Sequence, residues 1–209
     1  LMLRNYHKRY GPDMTLVFLG KLIRLGTEVL SRYGFSTAIS DTDLPDGTRA
    51  KIKEIISKAN ETVTDLIEKF NSGDMEAFPG RSLAETLELK ILETLNKARD
   101  QTGEVVSESA NKDSHTLVMA ESGARGNLLN LAQMAACVGQ QALRGKRIEK
   151  GYTSRSLSCF RKNDLSADSR GFIRNGFKQG LDPTEFFFMG MTARDSLMDT
   201  ALRTPKSGY

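Results

Sequence analysis

The sequence predicts a mainly α-helical protein with one long antiparallel helical hairpin, a small mixed region containing short strands, and a final long helix. Three observations predict it. Between Thr48 and Ala98 two apolar stripes at helical spacing flank a connector containing Phe78-Pro-Gly80. The run Arg144-Gly-Lys-Arg-Ile-Glu-Lys-Gly-Tyr-Thr-Ser-Arg155 is basic and interrupted by glycine, which suits an extended loop or short strands. From Leu181 to Tyr209 a strongly marked start leads into a third helical pattern. The chain divides accordingly into 1–47, a leading helix and short strand; 48–110, the hairpin; 111–180, further helices and the basic loop; and 181–209, the last helix.

Taken in order, Asp13 is placed to cap a first helix through Leu16, Leu19, Ile23, Leu25, Val29 and Leu30, ended by Gly34 in a left-handed conformation. Phe35-Ser-Thr-Ala-Ile-Ser40 alternates well enough for a short strand, and Asp41-Thr-Asp-Leu-Pro-Asp-Gly47 reads as an acidic turn. Ile52, Ile55, Ile56, Ala59, Val63, Leu66, Ile67 and Phe70 then share one helical face, which Asn71-Ser-Gly73 stops. Ser82 and Glu85 form a capping box for the second arm, carried by Leu83, Leu87, Ile91, Leu95 and Ala98, with Gly103 expected to interrupt or end it. Residues 107–114 are polar enough for loop or frayed helix. A short apolar piece at Leu117-Val-Met-Ala120, a Ser122-Gly-Ala-Arg-Gly126 turn and a helix over 128–138 follow. Asp164 or Ser166 is placed to start another helix that Gly180 ends. Asp182, Pro183 and Glu185 then give the last helix a cap, a fitting first residue and a box-like partner. Its apolar positions Phe187, Met191, Met198 and Leu202 are interleaved with Arg194 and Asp199, so it should meet more than one kind of neighbour.

With 39% hydrophobic and 27% charged residues among 209, the chain reads as soluble and folded, with enough length for one good core plus an arm. No apolar run approaches the roughly 20 residues of a membrane span, no secretory signal is visible, and a cytoplasmic location without membrane contact is expected. The chain begins at Leu1 and ends inside a helical pattern, as expected of a piece of a longer polypeptide. Cys137 and Cys159 lack CxxC spacing, and the histidines, His7 and His115, stand far off, so each cysteine reads as a small buried apolar residue rather than a ligand or nucleophile. The net charge of +4 is uneven: residues 1–120 hold 16 basic and 18 acidic side chains, residues 121–209 hold 14 and 8.

The last stretch, through Leu181, Pro183, Thr184-Glu-Phe-Phe-Phe188, Met191, Arg194, Leu197, Asp199-Thr-Ala201, Thr204 and Ser207-Gly-Tyr209, resembles the bridge helix of the largest subunit of multisubunit RNA polymerases in its archaeal and eukaryotic form. Ser122-Gly-Ala-Arg-Gly126, Gln133-Met134, Ala136-Cys-Val-Gly-Gln-Gln141 and Gly145-Lys-Arg-Ile148 match the same subunit in the same order, and Gly34-Phe-Ser36 is similar to a segment that precedes its funnel. The resemblance implies that the hairpin is the funnel, at the rim of the secondary channel, and that 111–180 is pore-proximal. It implies other polymerase subunits, DNA template, RNA transcript, nucleoside triphosphates and a transcript-cleavage factor as partners.

The family joins nucleotides with magnesium held by an Asn-Ala-Asp-Phe-Asp-Gly-Asp cluster, which this sequence lacks, as it lacks the later trigger loop; the metal is expected outside this chain, and no cofactor or catalysis is expected of the chain alone. Asp41, Asp43 and Asp46 lack that pattern. By resemblance Arg125, between two glycines, contacts the incoming triphosphate; taken alone it is a surface arginine in a turn. Gln140 and Gln141 look pore-lining, with helix capping as the plain alternative, and Lys146 and Arg147 suit a nucleic-acid-facing loop as well as a solvated one. Thr200 and Ala201 match the small residues near the templating base, where a featureless surface lets every base pass. Arg194 is a positioning candidate or a partner in a structural salt bridge, and Phe186-Phe-Phe188 reads as anchoring core. Met189 departs from the histidine common in eukaryotic members. Pro205 is expected to bend or end the helix. A stand-alone helical scaffold or nucleic-acid-binding module is the alternative.

Overall fold

The computed structural model describes residues 1–149 and 151–209, which form two compact units, 1–37 and 38–209. The first is one helical element, α1 (Met2–Tyr33), broken at Gly11, whose φ of 79° and ψ of 177° are not helical. Pro12 follows, at the first position of the second half, where its missing N–H costs least. Twelve residues of straight helix would span about 18 Å, yet the rings of Tyr6 and Phe18 stack with centroids 4.5 Å apart, so the two halves fold sharply toward each other. The helical start expected at Asp13 is therefore corrected: Gly11 and Pro12 make the corner, and Thr15 Oγ1 donates to the Gly11 carbonyl at 2.7 Å. Gly34 does end the helix, its N–H on the Leu30 carbonyl, but its φ of 71° comes with a ψ of 167°, so it is not in the left-handed helical conformation expected.

In the second unit the strand expected at 35–40 is absent. A 3-10 turn, Ile39–Thr42, stands there because the Asp41 carboxylate accepts from the Ala38 N–H at 3.1 Å and from Thr116 Oγ1 at 3.1 Å. The hairpin follows: α2 (Asp46–Ser72) buries Ile52, Ile56, Ala59 and Val63, and α3 (Leu83–Ser109) buries Leu87, Ile91, Leu95, Ala98 and Val106. Thr48 near the start of α2 bonds Ser109 at the end of α3 at 3.1 Å, so the arms are antiparallel. Gly73, left-handed at φ 84°, closes α2, and the Ser82–Glu85 box opens α3 with bonds of 3.2 and 3.1 Å. Gly103 does not interrupt α3: it stays helical and faces Ala132.

Two short helices, α4 (His115–Ser122) and α5 (Leu128–Ala135), pack near the end of α3, with Leu117, Leu131 and Ala135 joining the hairpin core. α5 stops three residues before Val138, short of the expected span. Strands β1 (Gly139–Gln140) and β4 (Phe172–Ile173) pair antiparallel, Gly139 opposite Ile173. Strands β2 (Ala142–Leu143) and β3 (Lys146–Arg147) make a tight hairpin whose two turn residues, Arg144 and Gly145, both have positive φ. The helix expected from Asp164 or Ser166 to Gly180 is replaced by a 3-10 turn, Asp168–Arg170, then β4 and turns. Asp164 accepts from the Ser166 N–H at 2.9 Å and Ser169 Oγ donates to the Asp164 carbonyl at 3.0 Å; such local bonds compete with helix.

The last helix, α6 (Pro183–Gly208), runs on past Pro205, so of the bend or end expected there the end is corrected. Ala201, which loses its usual donor, is exposed, so water can take that place, and the Tyr209 N–H reaches the Pro205 carbonyl at 3.0 Å. No helix among the described residues is long and apolar enough to cross a membrane.

Candidate functional site

Four groups of sequence-selected residues stand out, and the fold treats them differently. Arg125 lies in the turn between α4 and α5. Gly123 and Gly126, both at φ 71°, shape that turn, and Asn127 caps α5 by accepting from the Asn130 N–H at 2.9 Å. Arg125 is exposed and has no hydrogen-bond or ionic partner among the described residues. A guanidinium held out on a short glycine-flanked turn is chemically free to take an anion.

Gln140 and Gln141 sit on and beside the β1–β4 pair. Gln140 is buried, its amide nitrogen donating to the carbonyls of Gln141 (2.7 Å) and Arg170 (2.8 Å), while its Oε1 is buried without a partner among the described residues. Gln141 is half-buried, its backbone N–H bound to the Gly171 carbonyl at 2.8 Å. Of the two, Gln141 is the one with surface to offer.

Lys146 is exposed, but Arg147 is a core residue, so neither loop reading offered for it holds. Its guanidinium forks onto Glu88 of α3 (2.8 and 2.9 Å) and donates to the carbonyls of Leu165 and Ser166. This ties the β2–β3 hairpin to the start of α3, near the connector between the two arms. Sequence gave no sign of it, since the basic run makes Lys146 and Arg147 look alike.

The fourth group is α6. Its first turns are held: Glu185 and Phe188 are buried, and Phe188 lies nearly parallel to Phe160 with centroids 6.1 Å apart. Phe186 and Phe187 are exposed, so only the last of the three phenylalanines is core. From Ala193 to the end every residue is exposed, including Arg194, Thr200, Ala201, Leu197, Met198 and Leu202. Arg194 has no salt bridge among the described residues, whereas Asp199 and Arg203 pair along the helix. The fold joins the start of α6 to the β1–β4 region through Arg174 and Asn175, which sequence reading missed; Arg125 is bonded to neither.

The cysteines divide. Burial pushes the Cys137 thiol up, against a weak contact with Thr102 at 3.5 Å, as suits a small core residue. Cys159, expected buried, is exposed. Among the described residues no three His, Cys, Asp or Glu side chains come together in a cluster that could hold a metal ion.

The family model for "RNA polymerase Rpb1, domain 4" matches residues 66–173. The chain belongs to the largest-subunit family of multisubunit RNA polymerases. A second model, "RNA polymerase Rpb1, domain 5", matches 180–209, so α6 falls within a separate module of that family. The chain is 48% identical over 202 residues to the DNA-directed RNA polymerase subunit Rpo1N of Halococcus morrhuae, covering 97% of this chain and 58% of that one. It is 45% identical over 203 residues to Rpo1N of Methanothermobacter thermautotrophicus, covering 97% of this chain and 23% of that one. Against Rpo1N of Methanocaldococcus jannaschii it is 44% identical over 209 residues, all of this chain and 16% of the relative. The relatives are archaeal, and this chain is an archaeal-type member that spans only part of their length.

Proposed function

We propose that this chain provides the funnel and bridge-helix region of an archaeal DNA-directed RNA polymerase. In this reading the α2–α3 hairpin borders the route by which nucleoside triphosphates enter and presents a surface to a transcript-cleavage factor. α6 crosses toward template and transcript, with Thr200 and Ala201 beside the templating base and Arg194 positioning the helix. Arg125 meets the triphosphate, Gln141 lines the pore with Gln140 packed behind it, and other polymerase subunits enclose the whole. The magnesium and its aspartates belong elsewhere in the enzyme, which works in the cytoplasm, and this chain alone is inactive. The observation that carries the reading is the half of α6 that leaves its own core with every residue bare: a helix that is neither packed nor uniformly polar is built to meet other surfaces.

The test is Arg125→Ala in the assembled enzyme. Loss of a charge-assisted contact costs about 1.5–3 kcal/mol, so kcat/KM for nucleotide should fall roughly 10- to 100-fold with template affinity unchanged. An unchanged nucleotide requirement together with weakened template binding would refute the assignment.

A further inference from the structure

Asp182 and Glu185 form a capping box, and in such a box the glutamate has one task, to accept from the N–H of the capping residue. Glu185 does so, Oε2 receiving the Asp182 N–H at 3.0 Å, but that is one bond of four. Oε2 also accepts from Asn175 Nδ2 at 2.9 Å, and Oε1 accepts from the Arg174 N–H at 2.8 Å and the Asn175 N–H at 3.4 Å. The residue is buried, at 8% exposure. Its donors are themselves tied down: the Asn175 carbonyl accepts from the Val138 N–H at 3.1 Å, just before β1, and the Arg174 guanidinium holds Asp168. One turn on, Phe188 lies against Phe160, and after Thr192 every residue of the helix is exposed among the described residues.

We infer that Glu185 is a positioning residue: its carboxylate, held by the 174–175 backbone and the Asn175 amide, aims α6 from the same β1–β4 frame that carries Gln141. Leverage makes this consequential. Ala201 lies sixteen residues beyond Glu185, about 24 Å along the axis, so a tilt of about 10° at the anchor displaces it by about 4 Å. Glutamine cannot replace the carboxylate here, because one acceptor oxygen becomes an N–H donor facing donors. The consequence for transcription rests on the reading of α6 proposed above; the aiming itself does not.

The experiment separates the two. In the full chain, with Cys159→Ser and spin labels at Lys97→Cys on α3 and Lys206→Cys on α6, the inter-label distance distribution is measured with and without Glu185→Gln. The variant should move or broaden the distribution by on the order of 5 Å, given the lever of about 31 Å. Asn175→Ala, which removes one donor and keeps the carboxylate, should shift it less and in the same sense. If Glu185→Gln does not fold by circular dichroism, Asn175→Ala decides alone. An unchanged distribution in the folded variants overturns the inference, whatever transcription does. In the assembled polymerase Glu185→Gln should slow elongation at saturating nucleotide by roughly 10- to 100-fold, with the nucleotide KM and the fraction of active complexes unchanged; a purely structural role would lower the active fraction instead. If the distances move and the elongation rate does not, the aiming stands and the role proposed for α6 falls.

Discussion

The α2–α3 hairpin and α6 are built from the same local grammar and end in opposite situations. Both α3 and α6 open on a capping box, and at 27 and 26 residues they are nearly equal in length. Yet α3 buries side chains from Thr86 to Val106, almost its whole length, whereas α6 buries Glu185 and Phe188 and stands bare from Ala193 on. A helix buried along one face is located by its core at every turn. One held only at its start is located by its anchor and by whatever else it meets. The hairpin is therefore a self-sufficient support, and α6 is an element whose position is open to partners.

The sharpest way to break that contrast is to attack the support. Arg147 has a fully buried side chain and Glu88 is its one acidic partner among the described residues, so Glu88→Ala leaves a buried charge uncompensated and should cost about 3–5 kcal/mol. Urea unfolding measures it, and a loss under 1 kcal/mol would mean that the two carbonyls suffice to hold Arg147. Next, Leu95→Ala on α3, at 0% exposure, should cost about 2–5 kcal/mol, whereas Leu197→Ala on α6, at 71%, should stay within about 0.5 kcal/mol. Similar costs at the two positions would erase the distinction between the helices.

A smaller effect concerns the segment before the hairpin. Lys178, hydrogen-bonded to Asp43, holds that carboxyl below its ordinary value of 3.8. With the folded value depressed, whatever stability the pair adds is present above the ordinary value and is lost as pH falls through the lower folded one. The protection of amides 39–44, taken relative to their intrinsic exchange rates, should thus fall on acidification below about pH 4 and lose that dependence in Lys178→Met. Acid insensitivity in the unmodified chain would show that the pair contributes nothing to holding the segment.

How much of this was legible in the sequence follows from how local each cause is. The hairpin, its stop at Gly73 and both capping boxes depend on spacings within a few turns, and these were readable. The last helix was readable at its start for the same reason. The absent strand at 35–40 and the absent helix after Asp164 were not, because in each an aspartate binds nearby backbone N–H groups and holds the chain in a turn despite a suitable apolar pattern. Arg147 was opaque because only the approach of Glu88, 59 positions away, separates it from Lys146. At the site, Arg125, Gln141 and the outer half of α6 came from family resemblance, and the fold adds that Arg125 and the outer half of α6 are exposed while Gln141 is half-buried. Glu185 was visible as a cap; its bonds to Arg174 and Asn175 were not, since they need the turn after β4 to be in place.

Residue-resolved amide hydrogen exchange on the 209-residue chain tests most directly whether α6 is fixed only at its start. Protection should be high through the buried span of α3, from Leu87 to Val106, substantial in α6 from Phe187 to Thr192, and should fall toward that of a fraying helix from Arg194 to Gly208. Protection in that outer segment equal to that of α3 would contradict the account, because a bare helix with no core contacts has nothing within this chain to hold it closed.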